Sequence, residues 1–407
     1  MKKTVLISGI CLLVAQLQAQ IIDPQITSWL YNTTGQTFTG TNGTFTVNVN
    51  AIYYTSSNVY IKSSGVPYYY TDGNSNFDAD DQSAIYKFPR TQTAATSATR
   101  SGGVAYANVG ATLDGVLVLN PSDGKSYQNQ DVWHQIAYSF EGLDFDSYNG
   151  HSTPQGVYHH HIDPNAMYNV SASTVHSPIV GYAFDGYPIY GPYAYTNTDG
   201  TGAITRMESS WQVRNISSRT TLPDGSTASS AGPCVGMPPS CQPLGKYWED
   251  YEYVAGSGDL DRYNGRFCVT PEYPSGTYCY FVTLTSSLTP EFPYIIGDSL
   301  YGVASGSNNG IIPGGATQYT PAVGVKEAFD KISIKVFPNP VVDLLNITAT
   351  ENKKYRIHLY DATGTMLQKT TFTGSFALDM KAHACGVYVV EVIDEETGNG
   401  YLQKILK

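Results

Sequence analysis

Thr44-Phe45-Thr46-Val47-Asn48-Val49-Asn50-Ala51-Ile52-Tyr53-Tyr54 decides the fold class. Apolar and polar residues alternate along it, and alternate side chains of a strand face opposite sides. The same strand character recurs in Asn58–Ser64, Gly115–Asn120, Gly265–Pro271 and Thr277–Thr285. Gly, Asn, Asp and Pro punctuate these runs at short intervals, which marks turns. Long windows of helical periodicity are missing, apart from a weak one at Val132–Phe140. The reading is a mainly β chain: a large β-rich domain with long loops over residues 20–305, followed by a small C-terminal β-sandwich. Abundant tyrosine (33 residues) suits half-buried strands and aromatic-lined surfaces.

The chain has 407 residues and a formal net charge of −11. Acidic side chains concentrate in the body, where residues 21–330 carry 26 of them against 12 basic ones. With no basic stripe, the chain lacks the phosphate-neutralising surface that nucleic-acid binding requires. Lys2 and Lys3, the apolar run Val5–Ala15 and the small residue Ala19 read as a secretory signal peptide over residues 1–19. No later stretch approaches the ~18 consecutive apolar residues of a transmembrane helix. Residues 306–330, rich in Gly, Ser, Asn and Pro, read as a linker.

Export places the remaining thiols in an oxidising compartment, which favours disulfides. Cys234 and Cys241 bracket a short closable loop. Cys268 and Cys279 flank a Pro/Gly turn whose midpoint falls between Tyr273 and Pro274, so a symmetric hairpin would set them opposite each other. Both local pairs are expected to be bridged, and Cys385 to be a lone buried thiol.

Six of the eight histidines fall between His134 and His176. Their centre is Tyr158-His159-His160-His161, in which strand alternation puts His159 and His161 on one face and Tyr158 and His160 on the other. Two imidazoles at that spacing can grip one divalent ion, zinc or copper, since neutral imidazole suits both. His151 is the first candidate for a third ligand, with His134 and Asp163 behind it. The alternative is a set of hydrogen-bonded histidines or a loose metal-binding tract. Asp185 is a candidate for orienting an imidazole or for catalysis, and Glu272 a candidate general base, although turn carboxylates are commonly just solvated. Tyr158, Tyr187 and Tyr190 lie in Gly- and Pro-rich aromatic segments that would form a ligand floor or, equally, packed loops. Asp72, Asn74, Asn76, Asp78 and Asp80 alternate like the oxygen ligands of a calcium loop, but the Gly and Glu of an EF-hand are missing.

Two resemblances follow from these residues. Phe337-Pro338-Asn339-Pro340, Leu359-Tyr360-Asp361 with Gly364, Gly386-Val387-Tyr388 and the terminal Lys404-Ile405-Leu406-Lys407 resemble the C-terminal sorting domain of the type IX secretion system of Bacteroidetes. That resemblance implies that residues 331–407 engage the type IX machinery, carry the protein across the outer membrane and are then removed. Trp133-His134, Gly150-His151, Gly156–His161, Ser177–Tyr193, Leu260-Asp261, Asn264–Arg266, Thr270–Glu272 and Phe292–Gly297 resemble, in order, the YHYH-domain family of secreted bacterial proteins. His160 stands where that family's motif has Tyr, and the resemblance implies no reaction. The function expected is a metal-dependent extracellular enzyme or redox protein. The alternatives are a noncatalytic surface module that binds metal, glycan or peptide, and a structural adhesion protein.

Overall fold

The structure, a computed structural model, describes residues 23–32, 35–70, 77–95, 108–319, 334–339, 341–361, 366–383, 386–396 and 400–407. The expected signal peptide, Cys385 and the positions Asp72, Asn74 and Asn76 of the suggested calcium loop lie outside the described residues. The chain forms two compact units, residues 1–319 and 320–407.

The first unit is built on an eight-stranded mixed sheet. Its strands run in the order Gly150–Ser152, Tyr158–His160, Leu117–Leu119, Asn108–Thr112, Ile179–Ala183, Pro188–Tyr190, Thr277–Phe281, Gly265–Cys268. One face packs against a four-stranded antiparallel sheet, ordered Thr317–Tyr319, Val49–Tyr54, Asn58–Ser63, Ala84–Pro89. Between the two sheets lie Ile52, Ile61 and Phe88 from one side and Ala111, Leu117, Tyr182 and Phe281 from the other. On the opposite face Val109, Val118, Val180, Ile189 and Tyr280 pack under Trp211, Trp248 and Phe292 of the long loops. A sheet covered on both faces needs apolar side chains at successive positions. That is why Gly115–Asn120 reads as a continuous apolar run rather than an alternating one.

The weak helical window resolves into a strand, His134–Ile136, and a single helical turn, Ala137–Phe140. The expected linker is corrected. Its first half belongs to the body, because Gly306 N–H donates to Phe184 O at 2.7 Å and Ser307 exchanges backbone hydrogen bonds with Lys87. A Cβ on Gly306 would lie 2.4 Å from Phe184 O. Glycine there permits close backbone approach rather than freedom, and composition alone does not separate the two. Thr317–Tyr319 then pairs with Ile52–Tyr54 as an edge strand.

The second unit has a three-stranded sheet (Ile334–Phe337, Leu344–Ala349, Ser375–Asp379) and a four-stranded one (Lys354–Asp361, Met366–Thr373, Val387–Asp394, Gly400–Leu406). Leu345, Ile347, Ile357, Leu359, Val390 and Ile405 share one buried core. No helix among the described residues is long and apolar enough to cross a membrane.

Candidate metal centre

The hairpin Gly150–His160 creates the site. Its antiparallel register sets His151 directly opposite His159. Opposed residues share a face, so the two rings meet with centroids 4.4 Å apart. His161 follows the strand, two residues on, and completes a buried group whose ligating atoms all lie within 4.8 Å of one another.

The hydrogen bonds fix which nitrogens face inward. His159 Nδ1 donates to Val157 O at 3.0 Å, and His161 Nδ1 donates to Asn120 O at 2.7 Å. A carbonyl only accepts, so both protons sit on Nδ1 and each neutral ring presents a lone pair at Nε2. Those two Nε2 atoms are 3.1 Å apart. His151 Nε2 is buried without a hydrogen-bond partner. Burial holds all three rings neutral: His151 is pushed down to about 3 by desolvation and its histidine neighbours, His159 to about 4 by desolvation, and His161 well below the usual range.

The three rings open into a cavity of about 160 Å³. Glu141, at the end of the turn Ala137–Phe140, places Oε2 at 3.8 Å from His151 Nε2 and 4.0 Å from His161 Nε2. Desolvation, followed by the charge of Asp123, pushes Glu141 up to about 7. No spacing in the sequence points to Glu141, because a bend in the chain rather than a strand register carries it there.

Other expected positions are placed elsewhere. His160 lies on the far face of its strand, fully buried, with Nδ1 donating to Asn149 O at 3.0 Å. His134 does not join the group. Its Nδ1 meets Glu249 at 2.7 Å and its Nε2 meets Asp131 at 3.1 Å. Burial opposes its charge, but Glu249 and then Asp131 hold its pKa above the usual value, and with a carboxylate on each ring nitrogen neither nitrogen is open to a metal. Asp163 accepts the Tyr168 hydroxyl at 2.5 Å instead of approaching the histidines.

Asp185 orients no imidazole. It accepts from Tyr280 Oη at 2.5 Å and Gly302 N at 2.8 Å, and backbone carbonyls take the role expected of it. Glu272 accepts the Tyr190 hydroxyl at 3.0 Å and is not among the residues lining the histidine cavity. The proposed tyrosine floor is corrected as well. Tyr158 and Tyr190 are buried in the core, and Tyr187 packs on Tyr278 and Tyr301. Of the calcium positions, Asp80 is taken up by Asn42, through both its backbone and its side-chain amide.

Cys234 and Cys241 are bridged, with Cα atoms 4.7 Å apart. Cys268 and Cys279 are not bridged, and are instead buried thiols in hydrogen-bond contact with each other, set diagonally across the hairpin. The hairpin is not symmetric about its expected midpoint. Successive turns close at Tyr273 on both sides, so Cys268 faces Thr277 and Cys279 faces Arg266.

The geometry describes a mainly β protein with a three-histidine centre. The family described as "YHYH protein" matches residues 85–294, and the chain belongs to that family. Residues 335–407 match the secretion system C-terminal sorting domain, which directs the protein out of the cell or to its surface through the type IX machinery. No curated protein matches the chain. Among solved structures, similarity is found to a DUF3244 family protein with an immunoglobulin-like β-sandwich fold from Bacteroides vulgatus, at 15% identity and a TM-score of 0.17, over 19% of this chain and 88% of that one. PorZ, a surface component of the type IX secretion system of Porphyromonas gingivalis, is similar at 14% identity and a TM-score of 0.17. That match covers 88% of this chain and 44% of PorZ.

Proposed function

We propose that this exported protein is a metal-dependent extracellular enzyme or redox protein whose single divalent ion, zinc or copper, is held by Nε2 of His151, His159 and His161. The observation that carries the reading is the approach of two imidazole lone pairs to 3.1 Å with their Nδ1 protons committed elsewhere. Such a pair repels unless a cation lies between its members. Ligand nitrogens on a tetrahedral ion at ~2.05 Å stand roughly 3.3 Å apart, so the spacing suits a shared metal. Carbonyl-oriented Nδ1 groups are also what metal-binding imidazoles use to fix their tautomer.

Three protein ligands would leave a coordination position open for water or a small molecule. A divalent ion there would supply Lewis acidity toward a small bound molecule. Glu141 stands beside that position, where its Oε2 can hold or accept a proton.

Elemental analysis of the purified exported protein tests the reading. One zinc or copper per chain is expected, none in His159→Ala or His161→Ala, weakened binding in His151→Ala, and full stoichiometry in His160→Ala. A wild-type protein that cannot be loaded, or a His160→Ala loss equal to that of His159→Ala, overturns it.

A further inference from the structure

The cavity over the three histidines has carboxyl groups in its walls. Asp123, Glu141 and Asp144 line it beside Phe77, Leu119 and Pro154, and among the described residues no lysine or arginine lines it. Lys125, whose charge reaches Asp123 and Glu141, is exposed on the strand Ser122–Ser126. One of these carboxylates is hydrogen-bonded on one side only. Asp123 Oδ1 accepts Lys125 N–H at 2.8 Å, whereas its Oδ2 is buried without a hydrogen-bond partner. A buried carboxylate oxygen in that state is destabilising, so the Asp123 side of the cavity favours positive charge and hydrogen-bond donors over further negative charge.

Resting on the metal reading above, we propose that this cavity takes small uncharged or cationic molecules bearing hydrogen-bond donors, such as amines, azoles or amides, and turns away anions. A bound metal would take a lone pair of the ligand, and the carboxylates would receive its N–H groups. The volume of about 160 Å³ admits one small molecule or one substituent of a larger one. An anion at the same place would meet the like charge of these carboxylates, which weakens its binding at the effective dielectrics found near a protein surface. The selection is therefore electrostatic and separable from the ligand set that holds the metal.

The test uses the full exported chain loaded with cobalt(II), whose visible spectrum reports an added ligand. Cobalt stoichiometry is measured first, by elemental analysis. Imidazole and azide are then titrated separately. The wild type should require at least tenfold more azide than imidazole. The double variant Asp123→Asn, Asp144→Asn should bind azide about tenfold more tightly while imidazole affinity changes less than twofold. If that variant fails to retain cobalt, Asp144→Asn alone should show the same direction at about threefold. Azide binding as tight as imidazole in the wild type, or azide affinity unmoved by these substitutions, overturns the charge selection and leaves the metal reading intact. Failure to load cobalt, zinc or copper removes both.

Discussion

His159 and His160 are chain neighbours with opposite surroundings. One turns its Nε2 toward two other imidazoles, and the other turns away to Tyr69 and Asn149. Period-two alternation made this division legible, because it depends only on the backbone. The surroundings of His134 were not legible. Its carboxylate partner Glu249 is 115 residues away in sequence, and nothing local announces it. Asp185 illustrates a second hidden property. Desolvation outweighs its hydrogen bonds and pushes it up to about 6. The raised value means that the folded state holds the proton more tightly than the unfolded chain does. Its contribution to stability is therefore present below the unfolded value of ~3.9 and is lost as pH rises through about 6. Relative to Asp185→Asn, the wild type should lose up to ~3 kcal/mol of stability between pH 4 and pH 7. Denaturant melts of both proteins across that range check this, and parallel pH profiles would refute it.

At the scale of elements, the hairpin that carries the site is locked from behind. Tyr158 Oη donates to Asp146 Oδ2 at 2.7 Å, while Asp146 Oδ1 accepts from Tyr148 N at 2.8 Å and Gly150 N at 3.1 Å. A Cβ on Gly150 would lie 2.2 Å from Tyr158 Oη, so only glycine fits beneath that hydroxyl. Tyr158 thus holds the entry to the His151 strand without touching the centre. Tyr158→Phe should weaken metal binding ~10-fold or more, as losses behind a ligand shell commonly do, and cost ~1–2 kcal/mol of stability. Calorimetric metal titration alongside thermal melting separates the two effects, and an unchanged Kd would show that Tyr158 serves the core alone. A second element-scale prediction concerns Cys234–Cys241, whose closed segment spans a sequence separation of 7. The chain-entropy account gives ~2–3 kcal/mol for so short a loop, read as the stability lost in the Cys234→Ala, Cys241→Ala double variant. The first cysteine pair was legible because a short loop needs no register. The second was not, since moving a turn by one residue changes every cross-strand partner.

For the whole molecule, the order of parts was readable: an acidic β-rich body followed by a sorting tail, each with its own core. The junction between them was not, because glycines that let backbones touch look the same in sequence as glycines that let a chain flex. Export should yield a protein that begins near Gln20 and lacks the tail, and intact mass of the secreted form measures both ends. A full-length chain retained in the cytoplasm would contradict it. The position of the tail cut has a further consequence. Thr317–Tyr319 is the outermost strand of the four-stranded sheet and covers the backbone of Ile52–Tyr54. A protease that cut beyond Tyr319 would leave that cover in place. A cut before Thr317 would strip it away and bare a row of amide and carbonyl groups, an adhesive seam along which truncated molecules could zip to one another by strand donation.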